Sequence, residues 1–195
     1  MPVYLPDTNL FRYMDNNDLE TYKQAAREFF TMARQEIVEG KSQILVSPEV
    51  KCELEVQMHT LKAREQQSVR NLLAVLPQST NTNLPIDLER DLRIFSNYIR
   101  SSQFKGIFKI PHYKHDYLHI SDARILADAY RNDAVLVTAN IKDFIVYSLF
   151  NEPGEQKLYD FLNKCYVEVP PETRAAIATD PLFLTLQTKL ETLLP

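Results

Sequence analysis

Short apolar runs that end beside acids constrain this chain more than any other feature. Val3-Tyr4-Leu5 leads into Pro6-Asp7-Thr8-Asn9, and Ile44-Leu45-Val46 leads into a segment that carries Glu53. Ala134-Val135-Leu136-Val137 leads through Thr138-Ala139-Asn140 to Asp143, and Asp122 opens the segment before that run. Consecutive apolar residues without polar alternation are what strands covered on both faces require. Between the runs, apolar residues recur at helical spacing. Tyr22, Ala25, Ala26, Phe29, Phe30, Ala33 and Ile37 do so between Leu19 and Glu39, and Leu88, Leu92, Phe95 and Ile99 mark a later helix. Strands alternating with helices predict an α/β fold, a three-layer α/β/α sandwich around a mainly parallel central sheet.

Local signals set the boundaries. Gly40 is placed to end the first long helix. Ser47-Pro48 starts the next, with a capping serine and proline at the first helical position. That helix carries Val50, Leu54 and Met58 and runs on, or restarts, from Leu61 to Leu76. Pro77 to Pro85 and residues 102–118 read as loops, and Ile120 to Arg131 as a helix. Lys157 to Leu162 reads as helical, and Tyr166 to Val169 as an edge strand stopped by Pro170-Pro171. The tail from Pro181 has Leu182, Leu186 and Leu190 on one helical stripe, whose ordinary role is to cover its own core. The expected organisation is one domain over 1–169, with a helical and loop insertion at about 61–117, and a helical extension over 170–195 packing on it.

A mild net charge of -4 argues against a protein that holds nucleic acid by bulk positive charge, but not against a nuclease whose own ligands are acidic. Only three glycines occur, Gly40, Gly106 and Gly154, so there is no P-loop and no dinucleotide-binding fingerprint. No G-x-S-x-G elbow and no C-x-x-C pair is present. Cys52 and Cys165 read as buried, reduced thiols. No apolar run is long enough to cross a bilayer and no secretory leader is evident, so a cytoplasmic protein is expected.

In open α/β sheets, sites form outside the carboxyl ends of the strands. Asp7, Glu53, Asp122 and Asp143 would converge there. Each alone has a plain explanation: a helix cap, a solvated helix residue, a charge favoured at a helix N-terminus, a turn residue. Together they carry a cost. Two like charges about 4 Å apart cost roughly 4 kcal/mol at an effective dielectric near 20. Gathered carboxylates therefore protonate or bind cations. Oxygen-only ligation suits Mg²⁺ or Mn²⁺ rather than zinc or copper, and such ions acidify water for attack on a phosphodiester.

Four segments carry a likeness to a known family: Tyr4-Leu5-Pro6-Asp7-Thr8-Asn9, Ser47-Pro48-Glu49-Val50-Lys51-Cys52-Glu53-Leu54, Ser121-Asp122-Ala123, and Leu136 through Phe144. In order and spacing, over about residues 1–145, they resemble PIN domains, and among these the VapC-type toxin ribonucleases. The resemblance implies a PIN-like sandwich and a Mg²⁺- or Mn²⁺-dependent endoribonuclease. It implies that Asp7, Glu53, Asp122 and Asp143 are catalytic and hold the metal, with Asn140 as the competitor for the fourth place. It assigns supporting roles to Thr8, Asn9, Thr138 and Asn140. An antitoxin protein and a homodimer are the partners it implies.

For an RNA substrate, Lys105, Lys109 and Lys114 interleave with Phe104, Phe108, Tyr113 and Tyr117, a mixture used on single strands. A packed loop accounts for the same residues equally well. Arg124, Arg131 and Lys142 are further phosphate-contact candidates, although solvated surface charge is the commoner fate of such residues. His112, His115 and His119 with Asp116 are weighed as a zinc site and read instead as ordinary loop residues. Of the rivals, a haloacid-dehalogenase-type phosphatase needs a second acid two residues after the first, where this chain has Asn9. A catalytically inactive PIN-like module binding RNA or protein is the alternative function, and a plain structural domain would leave the acids to coincidence.

Overall fold

The computed structural model describes residues 1–15, 19–79, 84–101, 104 and 116–193. Five strands form one sheet in the order β2-β1-β3-β4-β5. They are β1 (Val3–Pro6), β2 (Gln43–Ile44), β3 (Val135–Thr138), β4 (Leu158–Asp160) and β5 (Cys165–Tyr166). The pairs β1–β2, β1–β3 and β3–β4 are parallel, and only the β4–β5 edge is antiparallel. Beyond β2, Val46 bridges Gln78 in parallel and extends that edge. The expected α/β/α sandwich with a mainly parallel sheet is the observed architecture.

Strand periodicity sorts the core into two layers, because successive side chains point to opposite faces. Tyr4, Ile44, Val135 and Val137 face α2 (Glu20–Val38), where they pack with Ala26, Phe29 and Ala33. Leu5, Leu136 and Leu158 face the opposite layer. That layer is built from α3 (Pro48–Gln57), α4 (Ala63–Val75), α5 (Ile86–Ser101) and α6 (Ile120–Arg131). The short α1 (Thr8–Tyr13) follows β1, and α7 (Ile141–Phe144) with a 3-10 turn (Ile145–Leu149) follows β3. Helix α8 (Pro171–Ile177) and helix α9 (Pro181–Glu191) close the chain.

Local chemistry explains the boundaries. Gly40, at φ +68°, follows α2 in the left-handed region that only glycine adopts without strain. The Ser47 side chain accepts from the Glu49 amide and Pro48 occupies the first turn of α3, as the sequence predicts. Leu88, Leu92, Phe95 and Ile99 form the buried stripe of α5. Phe183 of α9 meets that stripe: its ring lies 5.7 Å from Phe95 and stacks at 5.9 Å on Phe150. The fully buried Tyr147 donates its hydroxyl to the Ala134 carbonyl at 2.7 Å. Tyr147→Phe should cost about 1–3 kcal/mol, because it orphans a buried acceptor. Urea unfolding would measure this, and an unchanged midpoint would deny the bond its role.

Two expectations are corrected. Lys157 to Leu162 is not helical: Leu158–Asp160 is strand β4, parallel to β3. Three residues are too few to show a period, and Asp160 turns the chain by accepting from the amides of Leu162 and Asn163. Cys52 and Cys165 are exposed rather than buried, on a helix face and an edge strand. Helix α8 had no counterpart in the sequence reading. No helix among the described residues is long and apolar enough to cross a membrane.

Candidate functional site

The order of the sheet leaves a switch point between β1 and β3, where chain connections depart to opposite sides. Asp7 sits one residue past β1, and Asn140 and Asp143 follow β3. Helix α6 descends toward the start of β3, so its N-terminus, with Asp122, lies at the same end of the sheet. Glu53 comes from the second turn of α3, after β2.

Each acid has one oxygen tied to a neighbour. Thr138 Oγ1 donates to Asp7 Oδ2 at 2.9 Å, and Asn9 Nδ2 donates to the same oxygen at 3.1 Å. The Thr8 hydroxyl donates to Glu53 Oε2. The His119 amide donates to Asp122 Oδ2 at 3.1 Å, half of a capping box at the start of α6. Asn140 Nδ2 donates to Asp143 Oδ2. Thr138 also accepts from the Asn140 amide at 2.8 Å, so one hydroxyl couples the exits of β1 and β3. Thr8, Asn9, Thr138 and Asn140 thus each bond to one of the four acids.

The acids perturb one another. Burial pushes the Asp7 carboxyl up to about 7; the Thr138 hydroxyl opposes this, and the charges of Asp122 and Glu53 add to it. Burial likewise pushes Asp122 up to about 6, with Asp143 and Glu53 adding to the rise. Asp143 is raised as well, chiefly by burial. Its Oδ1 is buried with no hydrogen-bond partner, a state that costs about 1–3 kcal/mol if nothing fills it. Hard oxygen donors around an orphaned carboxylate oxygen fit a divalent cation in chemistry. Among the described residues, however, no three His, Cys, Asp or Glu side chains are drawn close enough to hold an ion as they stand.

The substrate candidates fall differently. Lys105, Lys109, Lys114, His112 and His115 lie outside the described residues. Lys142 is exposed and pairs with Asp116 at 3.5 Å, next to Asp143. Arg124 faces away from the acids and pairs with Glu49 at 3.3 Å and Glu89 at 3.0 Å. With Asp128 and Arg131, on the same face of α6, it lines a separate cavity of about 480 Å³. Asp128, whose carboxyl is raised by burial, accepts there from the Ser79 hydroxyl and from Asn132. The sequence singled out Arg124 and Arg131 but not Asp128, whose partner Ser79 comes from a distant segment. It also missed the arginines of α5, whose spacing at 90, 93 and 100 places them on one helical face.

The chain matches no protein-family model and no curated protein. Among solved structures it is similar to the crystal structure of VapBC2 from Rickettsia felis bound to a DNA fragment from their promoter. The identity is 20%, the match covers 73% of this chain and 91% of that chain, and the TM-score is 0.40. So distant a likeness transfers no residue roles.

Proposed function

We propose that this chain is a PIN-type endoribonuclease that hydrolyses RNA phosphodiesters with Mg²⁺ or Mn²⁺, and that it acts as the toxin of a toxin–antitoxin pair. One observation supports the reading: near the β1–β3 switch point, Asp7 feels the charges of Asp122 and Glu53, and Asp122 feels those of Asp143 and Glu53, so carboxyls from four segments act on one another. The sequence resemblance to PIN domains names the same four residues.

Asp7, Glu53, Asp122 and Asp143 would hold the cation. When bound, it supplies Lewis-acid chemistry, acidifying water and offsetting charge on the phosphodiester. The remaining work belongs to the chain. Thr138 and Asn9 fix the Asp7 carboxylate, Thr8 fixes Glu53, and Asn140 fixes Asp143. Fixing these groups in advance spares reorganisation during reaction. Asp7 and Asp122 are raised toward neutrality, so binding a cation there would release protons.

One observation favours the alternative, a catalytically inactive PIN-like module that binds RNA or protein: no ready-made ligand set stands among the described residues. A single experiment separates the two. A mixed single-stranded RNA pool is incubated with Mn²⁺, Mg²⁺ or EDTA, with wild type and Asp122→Asn in parallel. Metal-dependent cutting that the variant loses is the expected result. A folded wild type that neither cuts RNA nor binds either metal would hand the site to the binding module.

A further inference from the structure

We infer that the arginine-lined cavity on α5 is the track along which the RNA backbone leaves the acids, with Tyr117 as its base-stacking platform. The inference rests on the ribonuclease reading and extends it to how the substrate is held. A cavity of about 420 Å³ is lined, among the described residues, by Arg90, Arg93, Ile94, Asn97, Arg100 and Tyr117, with no acid in that set. Arg90 and Arg100 lie ten residues apart on one face, about 15 Å along the helix axis. That is room for a short run of phosphates rather than a single anion.

The acids that pair with these arginines do not neutralise them. Asp91 binds Arg90 at 3.1 Å and is shared with Lys189. Glu89 is 3.8 Å from Arg93 and is shared with Arg124. Asp116 binds Arg100 at 3.3 Å and is shared with Lys142. Lys189 has a second acid in Asp87 and Arg124 in Glu49, so among the described residues the network sets six cations against five carboxylates, a surplus of one positive charge, while the cavity lining itself carries three arginines and no acid.

Two connections join this cavity to the acids. The Tyr117 ring lies 4.8 Å from the His119 ring, and the His119 amide holds Asp122. Arg100 reaches Lys142, the neighbour of Asp143, through Asp116. Tyr117 is exposed at the edge of this lining. Cations beside an exposed aromatic suit single-stranded RNA, since the cations take phosphates and the ring takes any base. An acidic protein segment would use the arginines and leave Tyr117 without a role.

The test is fluorescence anisotropy of a short, labelled, mixed-sequence single-stranded RNA, in EDTA, across a salt series. Cleavage by wild type is followed separately with Mn²⁺. Arg90→Gln/Arg100→Gln removes two exposed ion pairs of little structural weight. It should weaken binding about tenfold at low salt and lower the magnitude of the log K against log salt slope by about 1.4. Tyr117→Ala should weaken binding about tenfold with no change of slope. Arg34→Gln/Lys41→Gln, on and just after α2, alters net charge equally and should leave the slope unchanged. Wild-type cleavage together with an unaltered slope in the α5 double variant would overturn the inference and leave the ribonuclease reading standing. Preference for polyglutamate over RNA, lost in the double variant and indifferent to Tyr117→Ala, would make this a protein-docking face and overturn it too. A wild type that neither binds nor cuts RNA removes both.

Discussion

Asp7→Asn should abolish RNA cleavage and, without divalent metal, yield a protein that melts higher than wild type at pH 8. The loss of activity should be on the order of 10² to 10³-fold, the scale of removing one preorganised electrostatic contact. The gain in stability follows from linkage. Burial raises Asp7 to about 7 from its ordinary value of 3.8, and Asp122 to about 6. Between those limits the folded state holds more protons than the unfolded chain. Stability therefore falls as pH rises from about 4 to 7, and the loss is complete above 7. Asparagine is never charged, and its side-chain carbonyl can still accept from Thr138 and Asn9. The variant should gain on the order of 3 kcal/mol at pH 8, or about 6–12 °C in Tm, and close to nothing at pH 4. Saturating Mn²⁺ should reverse the ranking, since only wild type would gain from binding. Calorimetry at both pH values, with EDTA and with Mn²⁺, checks all three statements. A variant that melts lower than wild type at pH 8 in EDTA would show that the Asp7 carboxylate is not held buried and charged at a cost to the metal-free fold.

Phe183→Ala should be the most damaging single change outside the acid group. Phe183 joins Phe95 of α5 and Phe150 in a buried aromatic trio, and it is only 6% exposed. Truncating a buried phenylalanine removes its transfer free energy and leaves a cavity, a loss of about 3–5 kcal/mol. For a chain of this size that corresponds to about 6–20 °C in Tm. The effect should extend well beyond α9, because Lys189 of that helix also pairs with Asp91 of α5. Hydrogen exchange should then show α5 losing protection together with α9. A loss below about 1 kcal/mol, with α5 protection intact, would mean that α9 is an appendage rather than part of the core.

Several elements were legible in the residues because their causes are local. Ser47-Pro48 starts a helix through a hydroxyl two residues from the amide it caps. The stripe of Leu88, Leu92, Phe95 and Ile99 marks α5 because helix geometry alone brings such positions onto one face. Strand β4 was illegible for the opposite reason. Leu158–Asp160 is only three residues long and is defined by its partner Leu136–Thr138, not by a pattern of its own. The exposure of Cys52 and Cys165 depends on which helix face and which sheet edge the fold leaves uncovered, and composition does not contain that.

The same division runs through the candidate site. That Asp7, Glu53, Asp122 and Asp143 would lie toward one end of the sheet was an expectation the sequence alone could supply, since strand exits in a parallel sheet point to one end. How they stand there was decided only by tertiary structure. Thr8 reaches Glu53 across 45 positions and Thr138 reaches Asp7 across 131, so which carboxylate oxygen is tied depends on contacts distant in sequence. The elevated carboxyls have the same origin: charge spacing in the sequence cannot set a pKa, because burial, the largest cause at Asp7 and Asp122, exists only once the layers have packed over the sheet.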